Sequence, residues 1–312
     1  MAEHLSIQLQ GRLSIVVPAF NEEDGILPSV RSLRSELPMA EVLVVDDGST
    51  DLTAERAATV PGVVLIQHLF NRGYGAAIKT GVLAGTHDYV AWFDADNEHR
   101  VEDLAAMVAK LDEGRLAAVI GQRTNPPSSV IRACGKWLIR VVSGSLRLHA
   151  GPDLNCGLRV FRRDVLTRYL PILPDGFSAS LTSTMIMLER GYPTAFLPIQ
   201  TAPRVGNSKV VVADGLNALV LLLRTVMLFA PLRIFMTSGL LLLSVGILYG
   251  VGWAVIFGRG FPVAALFIGT AGLLFVMLGL IADQISQLRL TILVAGNRPD
   301  SYLITKVSKD LD

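Results

Sequence analysis

Short apolar runs recur along the first part of the chain, at Leu13–Val17, Val42–Val45, Val63–Ile66, Tyr89–Phe93 and Ala117–Ile120. Between them stand segments with acidic starts and an apolar spacing of about three or four, notably Asp24–Leu37 and Arg100–Leu111, which predict helices. Strand and helix alternating in this way predict βαβ units, and so an α/β domain with a mostly parallel sheet and helices on both faces. Ligands of such sheets bind beyond the carboxyl ends of the strands. The polar residues that follow each run are therefore where chemistry is sought: Pro18–Glu23, Asp46–Asp51, Asp94–His99 and Gln122–Arg123. A helix and a strand through GYPTAFLPI are expected to return the chain to a second basic loop, Arg204–Lys209.

The pattern changes after residue 215. Ile234–Phe257 and Phe261–Ala282 carry no charge, and each exceeds the roughly 20 residues needed to cross about 30 Å of hydrocarbon. The link, Gly258-Arg259-Gly260, is short enough only for a hairpin. Arg224 and Arg233 precede the pair and Arg289, Arg298, Lys306 and Lys309 follow it, so the positive-inside bias places both outer flanks in the cytoplasm. The opening MAEHLSIQLQ lacks the basic, apolar and small-residue sections of a signal peptide, which agrees. Asp214–Ala230 is apolar but short, carries Arg224 and is closed by Pro231; it predicts a helix lying in the interface instead of a third span. The expected organisation is a cytoplasmic catalytic domain over 1–212, an interfacial helix over 213–231, two spans within 232–283 and a cytoplasmic tail over 284–312, in a multi-pass protein of the cell membrane.

Composition sharpens this division. The 312 residues are 51% hydrophobic and 18% charged, with a mean hydropathy of +0.48. That is too apolar for an ordinary soluble domain and too charged for a bundle of spans. A net charge of +1 gives no reason to expect a nucleic-acid partner. Cys134 and Cys156 form neither a disulfide framework nor a metal pattern, as suits a reducing compartment. Charge is concentrated locally: Arg123, Arg132, Lys136, Arg140, Arg147, Arg159, Arg162, Arg163 and Arg168 are opposed only by Asp153 and Asp164, which predicts a basic surface.

The strongest candidate for chemistry is Asp94-Ala95-Asp96, directly after the apolar run YVAWF. Two carboxylates two residues apart at a strand end can share a hard divalent cation, and Mg²⁺ typically takes only one or two protein carboxylates and completes its shell with water and substrate phosphates. Glu98 stands as a possible third ligand. Asp47, in VVDDGS, could accept hydrogen bonds from a nucleotide base or ribose, while Ser49 or Asp51 could cap the next helix. Gly73–Thr80 fits neither a dinucleotide fingerprint nor a P-loop, because Ile78 stands where each needs a small residue. Arg72 or Lys79 there is either a phosphate ligand or part of a solvated helix start.

The set IVVPAFNEE, VVDDGSTD, NRGYGAAIKTG, WFDADNEH, GQR, DLNCGLRVFRR and RVGNSK, in that order and followed by two spans, resembles the polyprenyl-phosphate glycosyltransferases of the family 2 type, similar to dolichyl-phosphate mannose synthase and its bacterial relatives. The resemblance implies a GT-A catalytic domain that takes a sugar from a UDP- or GDP-sugar, with Mg²⁺ or Mn²⁺, and passes it to a polyprenyl phosphate at the membrane. It implies that Pro18, Phe20, Glu22, Val45 and Asp47 line the nucleotide pocket, and that Asp94, Ala95 and Asp96 hold the donor and its metal. It further implies that Arg123 and Arg132 meet the acceptor phosphate, and that Arg204, Ser208 and Lys209 close over the phosphates. A homo-oligomer is also expected. Two departures from the family's pattern stand out: Glu98, where relatives often have Gln or Ser, and Asn155-Cys156 before the glycine.

Two other readings share parts of this pattern. A processive polysaccharide synthase would have the sheet and the Asp-x-Asp, with more spans and a Gln-x-x-Arg-Trp motif. A non-catalytic nucleotide-sugar sensor would keep the fold without turnover, which intact metal carboxylates argue against.

Overall fold

The computed structural model describes residues 5–123, 156–201, 231–295 and 305–306. Within them the alternation read from the sequence becomes an eight-stranded sheet. Its first strands are β1 (Leu13–Ala19), β2 (Glu41–Asp46), β3 (Val63–Gln67), β4 (Tyr89–Trp92) and β5 (Ala118–Arg123), and the later ones are β6 (Arg159–Arg162), β7 (Thr194–Ile199) and β8 (Thr305–Lys306). Their spatial order is β7-β5-β6-β4-β1-β2-β3-β8. β1 pairs in parallel with β2 and β4, β2 with β3, and β5 with β7. β6 runs antiparallel between β4 and β5, and β8 antiparallel along β3.

Helix α1 (Ile7–Gln10) precedes β1, and α2 (Glu23–Glu36), α3 (Thr53–Ala58), α4 (Tyr74–Ala84), α5 (Val101–Glu113), α6 (Arg163–Thr167) and α7 (Ala179–Glu189) lie in connections between strands. Side chains alternate across the pleat, so each central strand feeds two cores. Ile15 and Val17 of β1 and Phe93 join Ile26, Leu33, Leu104 and Val108 of α2 and α5 on one face. Val16, Leu43, Val45 and Trp92 join Ile78 and Val82 of α4 and Met185 of α7 on the other. All strands but β6 and β8 end at one edge, which gathers the loops after β1, β2, β4 and β5.

The antiparallel β6 was not expected from the sequence. Its residues, RVFR, were read as part of a basic surface, yet Val160 and Phe161 are buried and Phe161 packs its ring 5.3 Å from that of Trp92. Arg159 corrects the surface reading outright: it is 0% exposed.

The apolar runs form α8 (Pro231–Phe257) and α9 (Val263–Ala295), two helices long and apolar enough to cross a membrane over Ile234–Phe257 and Val263–Leu288. They pack closely where glycines face: a Cβ on Gly239 would stand 2.8 Å from the Gly272 carbonyl oxygen, and one on Gly272 2.7 Å from the Leu243 nitrogen. The second helix starts later than the apolar run, after Pro262, and continues past Asp283 through residues expected to be tail, because nothing from Gln284 to Ala295 breaks a helix. Ile234 packs on the core cluster that contains Leu170 and Ile172 of a 3₁₀ turn (Leu170–Ile172), and that turn also contacts α9. The interfacial helix expected over 213–231 lies outside the described residues except for Pro231, the first residue of α8.

Candidate active site

The loops after β1 and β2 are stitched together by polar side chains. Asn21, in the left-handed region at φ 52°, donates its N–H to Ser49 Oγ at 2.9 Å, and its side-chain Oδ1 accepts from Thr50 N at 2.9 Å. Glu22 N donates to Thr53 Oγ1 at 2.9 Å. Asp51 accepts from Thr53 N at 3.0 Å, but the N-cap of α3 is Leu52 and no side chain caps it, so neither Ser49 nor Asp51 makes the cap expected from the sequence; Ser49 instead bonds Asn21. The result is a fixed floor under the carboxyl edge. Phe20 and Glu22 are half-buried upon it, while Pro18 and Val45, register partners in β1 and β2, are buried.

Asp47 is 3% exposed and organises the next loop. Its Oδ1 accepts from Arg72 N at 2.9 Å and lies 2.6 Å from His68 Nδ1; its Oδ2 accepts from Gly73 N at 2.7 Å. His68 Nε2 in turn lies 2.9 Å from Thr80 Oγ1. A carboxylate offers about four lone-pair sites, so any contact between Asp47 and a nucleotide would be made from a group already locked by backbone. Lys79 forms an ion pair with Asp175 and donates to Leu173 O at 3.2 Å.

The Asp94-Ala95-Asp96 turn follows β4 at the centre of this edge. From the α2 side, Ser29 Oγ donates to Ala95 O at 3.2 Å, and a Cβ on Gly25 would stand 2.5 Å from that same oxygen. Asp96, 8% exposed, accepts from Glu98 N at 3.2 Å across Asn97, whose φ is 59°. Asp94 Oδ1 accepts from the Tyr74 hydroxyl at 3.0 Å, and Oδ2 lies 3.3 Å from His99 Nε2. Gly157 backs this carboxylate so closely that a Cβ there would overlap Oδ2. Burial works against ionisation of Asp94. The hydrogen bond and charge of His99, the Tyr74 hydroxyl and the charge of Arg159 outweigh it and hold the carboxyl below its ordinary range. Burial first, and then the charge of Asp94, push the Tyr74 phenol well up, so it remains a neutral donor.

Sequence reasoning missed the groups that build this turn from afar. Arg159 sits behind it, donating from Nε to Cys156 O at 3.0 Å, from Nη1 to Ser183 Oγ at 2.8 Å and to Thr184 Oγ1 at 3.2 Å, and also to Ser180 O. Its guanidinium carbon lies 5.1 Å from the centre of the Trp92 ring. His99, read as a neighbour of the turn, is that: it is buried, lies edge-on to Phe93, and among the described residues its Nδ1 has no hydrogen-bond partner.

Among the described residues, no three His, Cys, Asp or Glu side chains gather as a set able to hold an ion, so the structure does not bring Glu98 together with Asp94 and Asp96 in that way. Two anchored carboxylates at an open strand edge still suit a hard divalent cation that draws its remaining oxygens from water and substrate. Arg123, half-buried, ends β5 opposite Ile199 of β7, at the same edge and separated from β4 by β6. Arg132, Arg204, Ser208 and Lys209 lie outside the described residues.

Comparison with known proteins agrees with this geometry. The profile of Glycosyl transferase family 2 matches residues 14–170, and that of the GtrB C-terminal hairpin matches residues 230–288. Among curated proteins the chain is similar to an undecaprenyl-phosphate 4-deoxy-4-formamido-L-arabinose transferase of Enterobacter sp. (strain 638), 28% identical with 89% of each chain covered. It is similarly related to the protein of that name from Shewanella sediminis, 29% identical, with 88% of this chain and 87% of the relative covered. Among solved structures it resembles the Mycobacterium tuberculosis glucosyl-3-phosphoglycerate synthase in complex with Mn²⁺, UDP-glucose and phosphoglyceric acid, at a TM-score of 0.58 and 20% identity, over 71% of this chain and 84% of that one. At that identity the likeness is one of fold.

Proposed function

Because this chain belongs to glycosyl transferase family 2, we propose that it transfers a sugar, with inversion, from a UDP- or GDP-sugar to a membrane polyprenyl phosphate. The observation that carries the reading is the anchored Asp94-Ala95-Asp96 turn at the carboxyl edge, in a chain whose hairpin is apolar enough to hold it at a membrane. The relatives named for transfer to undecaprenyl phosphate support the acceptor.

Asp94 and Asp96 would hold Mg²⁺ or Mn²⁺, which when bound neutralises the departing nucleoside diphosphate. Pro18, Phe20, Glu22, Val45 and Asp47 form the nucleotide side, and Ala95 lies between the carboxylates. Arg123 meets the acceptor phosphate with Arg132, a planar fork suited to bidentate phosphate contact; Arg204, Ser208 and Lys209 cover the phosphates. A phosphate monoester with a second pKa of about 6 is largely dianionic at neutral pH. It attacks the anomeric carbon through its own oxygen, the glycosidic bond to the diphosphate breaks, and no protein base is needed.

The test is transfer of radiolabelled sugar from a panel of UDP- and GDP-sugars into an organic phase containing undecaprenyl phosphate. Label is expected in the lipid with at least one donor, and its absence with all of them would overturn the reading. A single in-line displacement predicts that an α-linked donor gives a β-linked lipid product by NMR; an α-linked product would reveal a second displacement and a protein nucleophile.

Our reading puts the catalytic domain in the cytoplasm with both ends of the hairpin, supported by the basic residues that flank the two apolar helices. In a background carrying Cys134→Ala and Cys156→Ala, Gly260→Cys is expected to react with an impermeant thiol reagent on intact cells. Ser308→Cys is expected to react only once the membrane is opened. External labelling of Ser308→Cys would require a third span.

A further inference from the structure

Phe177 stands between the 3₁₀ turn and α7 and is 80% exposed. Its ring stacks on Tyr74, with centroids 5.6 Å apart and planes 19° from parallel. Tyr74 opens α4 and gives its hydroxyl to Asp94. One face of the phenyl ring is thus seated one residue away from the carboxylate turn, and the ring is otherwise open.

The segment that carries Phe177 is firmly held. Ala76 N donates to Asp175 O at 3.1 Å, Lys79 pairs with Asp175 and donates to Leu173 O, and the 3₁₀ turn just before it contacts α9. Phe177 therefore lies on the stretch of chain that connects the carboxylate turn to the membrane hairpin. Exposed phenyl surface at such a place favours an apolar ligand. The donor brings a diphosphate, a ribose and a sugar, all strongly polar, and a base whose aromatic face could also stack on a phenyl ring but which the reading above gives to the pocket of Pro18, Phe20, Glu22, Val45 and Asp47. An acceptor of the kind proposed above brings a phosphate joined directly to a branched hydrocarbon chain that must leave the site toward the bilayer.

We propose that Phe177, stacked on Tyr74, packs against the isoprenoid chain of the lipid acceptor next to its phosphate, and so makes the enzyme select a prenyl phosphate over a bare phosphate monoester. This rests on the reading that the acceptor is a polyprenyl phosphate. The exposed position lets the residue be changed without opening the core.

The test compares wild type, Phe177→Ala and Phe177→Leu as full-length proteins, with undecaprenyl phosphate as acceptor and thermal unfolding as a folding control. Phe177→Ala is expected to raise the acceptor KM by about tenfold, in line with losing burial against one or two apolar groups, while the donor KM and kcat stay within about twofold. Phe177→Leu, which keeps apolar bulk, is expected to recover most of the loss. A rise in donor KM would assign the ring to the sugar or base. A fall in kcat with unchanged acceptor KM would mean that it acts only by steadying Tyr74, and unchanged kinetics would leave it no role; each of these overturns the inference. Failure of the wild type to use any polyprenyl phosphate would instead overturn the reading beneath it.

Discussion

Replacement Asp96→Asn is expected to lower transfer on the order of 10³-fold, about 4 kcal/mol of barrier, while leaving the unfolding temperature close to wild type. The change keeps the size of the side chain and an oxygen to accept from Glu98 N, so the turn survives. What it removes is the negative charge that a divalent cation needs beside a leaving diphosphate, and single preorganised electrostatic contacts of this kind are worth about 10²–10³ in rate. Excess chelator is expected to silence the wild type to the same level, and added Mn²⁺ to restore it. Wild-type transfer that survives chelation, or a variant that keeps more than about a tenth of the rate, would remove the carboxylates from the chemistry.

Arg159→Met is expected to be the most damaging single change to the catalytic domain's stability. The guanidinium is wholly buried and bonds the Cys156 and Ser180 carbonyls and the Ser183 and Thr184 hydroxyls. Methionine fills much of the volume but withdraws the one group that ties these acceptors together, leaving the Ser183 and Thr184 hydroxyls their bonds to Ser180 O, and takes a positive charge away from the neighbourhood of Asp94. Breaking a buried charged network costs about 3–5 kcal/mol, which for a domain of this size lowers the unfolding temperature by about 10 °C. Arg159→Lys, which keeps the charge but cannot reach both sides of the network, is expected to fall between. A Tm for Arg159→Met within about 2 °C of wild type would show that the network contributes little to stability.

These two residues also mark how far the sequence could be read. The turn carrying Asp96 is a local feature: an apolar run followed at once by polar residues announces a strand end, and the parallel alternation around it tells which edge that end faces. β1 to β5 and both membrane-competent helices are legible for the same reason, since their signals lie within one window of chain. Arg159 was not legible, because a strand written RVFR between basic neighbours looks like a charged surface until β4 and β5 close over it. Tyr74, Ser29 and Gly157 were equally hidden. Each meets the carboxylate turn across a long stretch of chain, and no spacing rule connects such partners. Glu98 shows a local contact of another kind: two residues from Asp96, it reads as a possible ligand, and in the structure the left-handed Asn97 turns the backbone so that the Glu98 N–H bonds Asp96 Oδ1.

The length of α9 bears on how the catalytic edge meets its lipid. Its 33 residues span about 50 Å at 1.5 Å each, whereas a hydrocarbon core is about 30 Å thick. About 20 Å of uninterrupted helix is therefore left to emerge, and the 3₁₀ turn of the catalytic domain packs against this same helix. The helix acts as a gauge: one residue inserted after Leu288 would raise everything beyond it by about 1.5 Å and swing it by about 100°. Evolution can change which side chains fill that stretch far more freely than it can change how many there are.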